Sequence, residues 1–587
     1  MAHTRAAAHM SLHLQTTMSK NPEHQTNNHP LPFQEARSSD LSGVAANQTI
    51  RSVAAVTRPL TITPQTVKRF SSRMRLFSVV RLSCRWVGRG GRRTARVICS
   101  NNPRRGEEPP PWSGSSARAG PSSRNGSSRW RCDLAERQCD VIVIGAGTAG
   151  LHAYKTATAR GAETVIVERG AGGSTCTRIG CMPSKLLIAA ARTARTCEGA
   201  GRFGVETGPV SIDAAAMWAR VRRERDRFVD AILEEYHAIP DADRIHGTAR
   251  FTGKDSVQVD GERILARQGI VIATGARPIV PDSLDAVRDL VHTHETIFDL
   301  DHLPRAIAVL GAGPVGLELA QAFARLGVAV ALFDPGDTIG GLADPDTNAA
   351  AIEALGQEVT LHLGVETKAE PTDDGRARLS WDGGSTLVDL ILAATGRPPE
   401  LKDLDLDQTG LELDDHGTPL FDPQSRRCGD SAIFVAGDAN AWRSVLHEAA
   451  RGGRIAATVA TGGEPPRTLP AFAITFTEPN LTEIGMAFDD LPDDVRIGCA
   501  KVADNGRTTV DGATQGLIRL YADRDGKLLG ASIAAPEGEH LGHLVALAID
   551  QGMDVARFAD QPWYHPTVEE LLQMAARDIT GSEDLLV

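Results

Sequence analysis

Long apolar runs and a regular cysteine spacing are both missing from this sequence of 587 residues. No run of about 18 consecutive apolar residues occurs, so the sequence predicts no transmembrane helix and no membrane partner. The nine cysteines are scattered and odd in number, which excludes a secreted disulfide framework and favours a reducing compartment with one special pair. We therefore expect a cytoplasmic protein that exceeds a single hydrophobic core and folds as several domains.

Acidic residues are absent from residues 41–106, and sustained periodicity is absent from residues 1–135. Residues 1–139 hold 22 Lys and Arg against 7 Asp and Glu, a net charge of +15, which leaves −26 for the rest of a chain whose net charge is −11. Such a segment buries too little apolar surface to offset its ordering entropy. We predict a disordered basic extension over residues 1–135.

Three explanations of this extension stay open. A segment rich in Arg and Ser and poor in acid is typical of an organellar presequence, which would place the protein in a mitochondrion or a plastid. A basic nucleic-acid tail is the second, but no interleaved aromatic pattern supports it, and we predict no nucleic-acid partner. The third, which we favour, is that translation begins near Leu134, so that a chain starting there keeps the stability and activity of the whole.

A strand, a glycine-rich turn and a helix follow one another directly after the extension. The apolar run at 140–144 predicts a strand buried on both faces of a parallel sheet. Gly145, Gly147 and Gly150 follow this strand, and a second apolar run ends in Glu168. The glycines allow a tight turn, close approach to a pyrophosphate and helix packing, and the carboxylate binds a ribose hydroxyl. This βαβ context predicts a dinucleotide site.

The same arrangement returns in the second half of the chain. A strand at 306–310 precedes Gly311, Gly313 and Gly316, and the following strand ends in Asp334. The acidic residue follows the first glycine by 23 positions in both copies. We therefore predict two dinucleotide sites, and two bound dinucleotides imply electron transfer between them.

Two further predicted strands close in Ala-Thr-Gly. One ends at Thr274 and Gly275, and the other ends at Gly396. Small residues let the backbone run close to a ligand, so these strand ends predict crossings between two nucleotide-binding domains. Asp438 ends another buried strand, where it contacts a ligand, caps the helix predicted over 446–457, or does both.

Cys176 and Cys181 lie five positions apart in a stretch that contains several glycines. Five residues of ideal helix rise about 7.5 Å, whereas the Cα atoms of a disulfide lie roughly 4.4 to 6.8 Å apart. A bridge therefore needs a distorted turn, for which Gly173 and Gly180 supply the backbone freedom. A helix N-terminus at Cys181, with Lys185 one turn on, favours a thiolate and predicts a redox site. Two buried structural cysteines are the alternative.

The last part of the chain, from about Leu469, changes to an α+β pattern and closes with His565 and Glu570. Because His565 precedes a proline, it does not lie in the interior of a helix. A histidine oriented by a carboxylate is the usual acid–base arrangement. Taken alone, such a histidine is more often a surface or core residue.

Together these motifs resemble the class I flavin-dependent pyridine nucleotide-disulfide oxidoreductases, and most closely the dihydrolipoyl dehydrogenases. The resemblance covers residue 139 to about residue 580 and keeps the family's order of motifs. It implies an α/β fold with two Rossmann-like dinucleotide-binding domains, for FAD and NAD, and a C-terminal α+β dimerisation domain. The implied boundaries are 139–303 for the FAD domain with the redox pair, 304–391 for the NAD domain, 392–466 for a return to the FAD domain, and 467–583 for dimerisation.

The resemblance also implies roles for single residues. Cys176 matches the interchange thiol that attacks the substrate, and Cys181 matches the thiol that contacts the flavin. Lys185 and Glu318 match an ion pair beside the flavin, and Asp438 matches a ligand of its sugar chain. No metal site is predicted.

His565 and Glu570 match an acid–base pair that reaches the disulfide of the other subunit, which implies a homodimer. The implied reaction passes electrons from a dithiol through the disulfide and FAD to NAD. Dihydrolipoamide is the best candidate for the dithiol, either free or as a lipoyl group of a 2-oxo acid dehydrogenase complex. The alternative is NAD(P)H-dependent reduction of another disulfide or of a quinone.

The sequence departs from the family pattern beside the redox pair. Arg178 stands where Asn is frequent, and Trp563 stands where another His is frequent, which bears on the substrate rather than on the fold. No cysteine follows Cys499, which argues against mercuric reductases and the larger thioredoxin reductases.

The second dinucleotide site is predicted to select NADH over NADPH. After Arg325 the next arginine is Arg376, so no arginine stands near Asp334 in the sequence. A carboxylate accepts a hydrogen bond from a free 2′-hydroxyl and repels a 2′-phosphate. We expect kcat/KM for NADH to exceed that for NADPH by at least about tenfold, or roughly 1.4 kcal/mol. Comparable values for the two in a steady-state assay would contradict this prediction.

Overall fold

The computed structural model describes residues 136–581. The basic extension predicted over residues 1–135 lies outside the described residues. Across the described range, no helix combines the length and the apolar character needed to cross a membrane.

The first sheet is built on the apolar run that follows the extension. Val141 and Val143 pack into one core and Ile142 into another, and all three are completely buried, as expected for a strand covered on both faces. The strands run in the order β3-β2-β1-β6-β5-β4. This part comprises β1 (Glu136–Ile144), α1 (Thr148–Ala159), β2 (Thr164–Glu168), α2 (Thr175–Arg178), α3 (Cys181–Gly199), α4 (Ala214–His237), β3 (Arg244–His246), β4 (Ala249–Gly253), β5 (Ser256–Val259) and β6 (Glu262–Ile272).

The second sheet repeats the parallel arrangement in the order β10-β9-β8-β14-β7, and β11, β12 and β13 form a separate antiparallel sheet. The first strand of the second sheet along the chain, β7, lies before the predicted domain boundary at residue 304. It belongs to this sheet because it pairs with β14. The elements are β7 (Val291–His292), β8 (Ala306–Leu310), α5 (Pro314–Arg325), β9 (Ala329–Asp334), α6 (Pro345–Leu355), β10 (Thr360–Leu363), β11 (Lys368–Pro371), β12 (Ala377–Trp381), β13 (Gly384–Val388) and β14 (Leu390–Ala393).

The chain then returns to the first sheet through β15 (Ile433–Val435), which pairs in parallel with β6, and α7 (Leu446–Ala460). Helix α7 lies directly against α1 because a glycine stands at the point of contact. A methyl group at Gly453 would lie 2.0 Å from the carbonyl oxygen of Ala149. Only glycine permits the two helices to approach this closely. The return segment therefore packs directly against the first βαβ unit.

The C-terminal part is an antiparallel sheet in the order β16-β17-β20-β19-β18 with helices on one face. Leu541 and Val545 of one helix and Leu571 and Leu572 of another fill the core with strand residues. The predicted α+β character is therefore confirmed. The elements are β16 (Phe472–Thr475), β17 (Asn480–Gly485), β18 (Arg496–Lys501), α8 (Gly506–Asp511), β19 (Leu517–Ala522), β20 (Leu528–Ala535), α9 (Gly538–Asp550), α10 (Val555–Ala559) and α11 (Glu570–Thr580).

Buried charges join the second sheet to the C-terminal part. Arg325 donates to both carboxylate oxygens of Glu358, at 2.6 and 2.9 Å, and also pairs with Glu478. Asp344 is completely buried and accepts a hydrogen bond of 2.9 Å from the hydroxyl of Tyr521. Because a buried charge that loses its partner is costly, these pairs hold the two parts in one arrangement.

Replacing Gly453 by alanine is expected to lower stability through the contact between α1 and α7. The added methyl group would meet the Ala149 backbone, and overpacking of this kind costs about 1–3 kcal/mol. The measurement is the unfolding midpoint in urea, followed by circular dichroism. Gly506→Ala is the matched control, because this helical glycine has no atom within 4 Å of the added methyl group. Equal midpoints for the two variants would show that the helices do not meet this closely.

Candidate active site

A cavity of about 930 Å³ lies where the carboxyl ends of the first sheet meet the redox turn, α5 and α7. Its size is at the upper end of the range for cofactor and ligand sites. Many of the predicted site residues form its wall. They are Gly145, Gly147, Glu168, Cys176, Cys181, Lys185, Thr274, Gly275, Glu318 and Asp438.

The two cysteines are brought together by a break between two helices. Helix α2 ends at Arg178, and Gly180 departs from helical geometry with φ of −121° and ψ of −119° before α3 begins at Cys181. A methyl group at Gly180 would lie 3.2 Å from the Cα atom of Cys176. This is a distorted turn of the kind that the spacing requires, and both thiols are free in this structure.

The pKa values of the two thiols are shifted in opposite directions. The pKa of Cys181 is lowered to about 7, because the Cys176 thiol donates a hydrogen bond to it and the Lys185 ammonium lies nearby. The pKa of Cys176 is raised, because Cys176 donates that hydrogen bond and is partly buried. Near neutral pH the pair therefore consists of one thiol and one thiolate, which is the nucleophilic form of cysteine.

Lys185 is held by a buried carboxylate on α5. Its Nζ atom lies 2.7 Å from Oε2 of Glu318, and Oε1 of Glu318 accepts a hydrogen bond of 2.9 Å from the backbone N–H of Phe476. The Lys185 ammonium also lies 4.4 Å from the centre of the Phe476 ring. Helix α3, helix α5 and the segment after β16 therefore meet at this ion pair.

The first glycine turn leaves space for a phosphate group. Gly145 adopts φ of +102°, and a methyl group there would lie 2.4 Å from the carbonyl oxygen of Ala273. A methyl group at Gly150 would lie 1.8 Å from the carbonyl oxygen of Gly145, whereas nothing lies within 4 Å at Gly147. Glu168 accepts a hydrogen bond of 2.6 Å from the backbone N–H of residue 146.

Two buried polar atoms on the cavity wall support the assignment of a polar cofactor such as FAD. Oγ1 of Thr274 and Nε2 of His294 have no hydrogen-bond partner among residues 136–581. Buried polar groups are normally paired, so these two atoms are suited to hydrogen bonds with a polar ligand in the cavity. With the open position at Gly147, the wall fits a dinucleotide that carries hydroxyl and phosphate oxygens.

The second glycine turn has the same geometry; Pro314 and Val315 of this turn line the cavity, whereas its three glycines do not. A methyl group at Gly316 would lie 1.9 Å from the carbonyl oxygen of Gly311, whose φ is +110°. Gly313 and Gly396 have open space around them. Asp334 accepts a hydrogen bond of 2.6 Å from the backbone N–H of residue 312, as Glu168 does in the first turn.

Asp438 lies on the cavity wall in a short 3₁₀ helix, Gly437–Asn440, and pairs with Arg397. The alternative prediction, that Asp438 caps the next helix, is wrong. Helix α7 begins only at Leu446, its N-cap is Val445, and no side chain caps it. The carboxylate thus lies on the cavity wall, where its partner is Arg397 rather than a helix N-terminus.

His565 and Glu570 lie together, away from the cavity wall of their own chain. Nδ1 of His565 is 3.0 Å from Oε1 of Glu570, and Oε2 of Glu570 accepts a hydrogen bond of 2.9 Å from the backbone N–H of Thr567. The histidine side chain is 74% exposed. The carboxylate therefore orients a ring that remains accessible to another molecule.

His294 was not predicted as a site residue. It is buried, with Nδ1 3.0 Å from the carbonyl oxygen of Ile179 between the two cysteines, and burial lowers its pKa. A neutral ring suits this position, because it donates to the turn with one nitrogen and presents the other to the cavity. No local motif surrounds His294 in the sequence, whereas Arg397, also missed, follows Gly396 directly in the second Ala-Thr-Gly motif.

Removing the charge of Lys185 is expected to raise the pKa of Cys181. An adjacent opposite charge lowers a pKa by roughly 1–3 units, so we expect Lys185→Met to raise it by about one unit. Glu318→Gln should act in the opposite direction, because the Glu318 carboxylate raises the pKa of Cys181. The measurement is the pH dependence of Cys181 alkylation by iodoacetamide in the reduced protein, read by peptide mass spectrometry.

The control for this experiment is Lys155→Met, which removes an exposed lysine paired with Glu235. Its alkylation profile should overlay that of the unchanged protein. An unshifted profile for Lys185→Met would show that the thiolate does not depend on this ammonium.

Comparison with known proteins assigns the chain to a family. Residues 139–460 match the model of the pyridine nucleotide-disulphide oxidoreductases, and residues 471–576 match the dimerisation domain of that family. A mercuric reductase from Shigella flexneri is 34% identical over 460 residues, which cover 74% of this chain and 80% of that protein. A dihydrolipoyl dehydrogenase from Halobacterium salinarum is 31% identical over 471 residues, which cover 75% of this chain and 96% of that protein.

The solved structures extend this similarity to the fold. The HOCl-induced flavoprotein disulfide reductase RclA from Escherichia coli matches with a TM-score of 0.64 at 22% identity, over 74% of this chain and 99% of that one. The dimerisation domain supports a homodimer, and proteins of this family use FAD and NAD(P)H. The predicted fold class and cofactors are confirmed, and the chain belongs to the pyridine nucleotide-disulphide oxidoreductase family.

Proposed function

We propose that the protein transfers electrons from a small dithiol, with dihydrolipoamide as the best candidate, through Cys176 and Cys181 and FAD to NAD⁺. The unequal pair of thiols carries this proposal. Cys181, with a pKa of about 7, begins a helix beside Lys185, whereas Cys176 keeps its proton. A pair with one good leaving thiolate and one protonated partner suits exchange with a dithiol.

The exchange begins with the removal of a proton from the substrate. Glu570 orients His565 through Nδ1, which leaves Nε2 to take the proton of a substrate thiol. Because His565 does not line the cavity of its own chain, we assign it to the cavity of the other subunit in the homodimer. The match of residues 471–576 to the family's dimerisation domain supports the homodimer on which this assignment rests.

The substrate thiolate then attacks Sγ of Cys176 in the oxidised enzyme. A bond forms between the substrate sulfur and Cys176, and the Cys176–Cys181 bond breaks, which releases Cys181 as a thiolate beside Lys185. The second substrate sulfur attacks the first, and the substrate leaves as a disulfide. Cys176 leaves with the proton held by His565, and the second substrate proton passes to solvent.

FAD, when bound, supplies two-electron transfer between the thiolate and the nicotinamide. Gly145 and Gly147 would hold its pyrophosphate, Gly150 would keep the helix close to the turn, and Asp438 would hold its sugar chain. Lys185 and Glu318 would lie beside its ring. Gly311, Gly313, Gly316, Gly396 and Asp334 would hold NAD at the second turn.

A second candidate function is the NAD(P)H-dependent reduction of another acceptor. The relatives bear the names of both mercuric reductases and dihydrolipoyl dehydrogenases, and Arg178, at a position where the family pattern often has Asn, lies on the cavity wall between the cysteines. The purified protein should be assayed with lipoamide, glutathione disulfide, a quinone and Hg²⁺. We expect lipoamide to give the highest kcat/KM, and a higher value for any of the other three would overturn the assignment of the dithiol.

Cys176→Ser is expected to abolish dithiol oxidation while FAD stays bound. The interchange thiol would be absent, but the glycine turn and Asp438 would be unchanged, so slow NADH oxidation with artificial electron acceptors should continue. The measurements are lipoamide turnover, flavin absorbance and diaphorase activity. Cys197→Ser is the control: Cys197 lies near the end of α3, the helix that begins at Cys181, and the variant should behave like the unchanged protein. Full lipoamide turnover by Cys176→Ser would remove Cys176 from the mechanism.

A further inference from the structure

A buried arginine next to α7 has unused hydrogen-bond donors. The guanidinium group of Arg426 is 4% exposed and stacks on the ring of Trp442, at 4.5 Å from the ring centre. Its Nη2 atom lies 3.4 Å from Oε2 of Glu448. Its Nε and Nη1 atoms have no partner in the part of the chain that the structure describes. Buried donors of this kind are normally satisfied by protein, water or a bound ligand.

Positive charge exceeds negative charge around this group. Arg443 and Arg451 lie close to Arg426, and among residues 136–581 Glu448 is the one carboxylate that lines the same small cavity. Glu448 already forms an ion pair with Arg426, and its Oε1 atom lies 3.3 Å from Nη1 of Arg443. Two guanidinium groups thus share the buried carboxylate of Glu448, and the third, of partly buried Arg451, donates to the carbonyl oxygen of Arg467. The positive charge of the buried Arg426 is therefore only partly compensated, which is costly.

The other carboxylates near this cluster are engaged elsewhere. Asp550 forms two hydrogen bonds to Arg467, at 2.5 and 2.6 Å. Asp422 accepts from the backbone N–H groups of Gln424 and Ser425, at 3.1 and 2.9 Å. Neither supplies the missing partner of Arg426.

The cavity beside the three arginines is small. It measures about 10 Å³ and is walled by Arg426, Arg443, Arg451, Glu448, Trp442 and Thr468. This volume is at the lower limit for one water molecule, so a polyatomic anion is too large for it without movement of the walls. A monatomic anion such as chloride is only slightly larger than water, so it requires less movement of the walls than a polyatomic anion, and its charge complements the arginines.

We propose that this cluster is a binding site for a small monovalent inorganic anion of the size of chloride, held by the donors of Arg426, Arg443 and Arg451. The site adjoins the segment that carries Asp438, because the backbone N–H of Trp442 donates to Oδ1 of Asn440 at 3.1 Å. A bound anion neutralises the cluster and holds Trp442 against Arg426. It thereby stiffens the segment that presents Asp438 to the flavin cavity.

The first test measures the thermal unfolding midpoint of the FAD-loaded full chain. Potassium chloride is increased against potassium gluconate at constant ionic strength, so that general screening stays the same. A ligand that binds only the folded state raises stability with the logarithm of its concentration above its dissociation constant. We expect the midpoint to rise with chloride, and a midpoint that depends on ionic strength alone would overturn the proposal.

Two variants assign the effect to the cluster. Arg426→Met should remove the chloride-dependent rise, and Arg451→Gln, at a less buried position, should weaken it while the protein stays folded. Arg376→Met removes an arginine that pairs with Asp374 elsewhere and should leave the rise unchanged. Equal chloride dependence in Arg451→Gln and Arg376→Met would place the effect outside this site.

A direct observation does not depend on the stability of any variant. Crystals of the full chain grown in bromide should show an anomalous peak within hydrogen-bond distance of Arg426 and Arg451. Chloride should also quench or shift the Trp442 fluorescence in the unchanged protein, and Trp442→Phe should remove that signal. An anomalous map with no peak at the cluster would show that water alone satisfies these donors.

Discussion

The ion pair between Lys185 and Glu318 is the interaction on which the geometry of the redox site depends. Glu318 is almost fully buried on α5, so its charge requires both the ammonium of α3 and the backbone N–H of Phe476. Glu318, Lys185 and Phe476 come from three different parts of the chain. The same ammonium that neutralises the carboxylate also favours the thiolate of Cys181. The charge of Lys185 therefore both stabilises the packing of these parts of the chain and lowers the pKa of the Cys181 thiol.

Features set by short stretches of sequence could be predicted well. The two glycine turns, with their strands and acidic ends, follow from residue types at fixed spacing, because each βαβ unit forms mostly from its own local contacts. The break between the cysteines could also be predicted, since an unbroken helix would hold them too far apart. The contact between His565 and Glu570 could be predicted in the same local way, because the two residues lie five positions apart and the proline after His565 keeps it out of a helix interior.

Features set by distant contacts could not be predicted. Strand β7 has two residues and exists because β14 lies beside it, so its place in the second sheet is invisible in the sequence. The capping alternative for Asp438 failed because the chain makes a further turn before α7 begins. His294 and the arginines around Glu448 lie beside residues that are far away in the sequence. Sequence spacing alone therefore does not predict that they contact one another.

The acidic ends of the two βαβ units also hold their own glycine turns. Glu168 and Asp334 each accept one hydrogen bond from the turn that precedes them and another, of 2.7 Å, from the residue two positions further on. Each turn is thus preorganised before a dinucleotide arrives, which lowers the entropy lost on binding. For protein engineering, a substitution of Asp334 that is meant to change the nucleotide preference also removes hydrogen bonds that hold the glycine turn. Asparagine, which keeps one acceptor oxygen, is therefore a gentler starting point than alanine or serine.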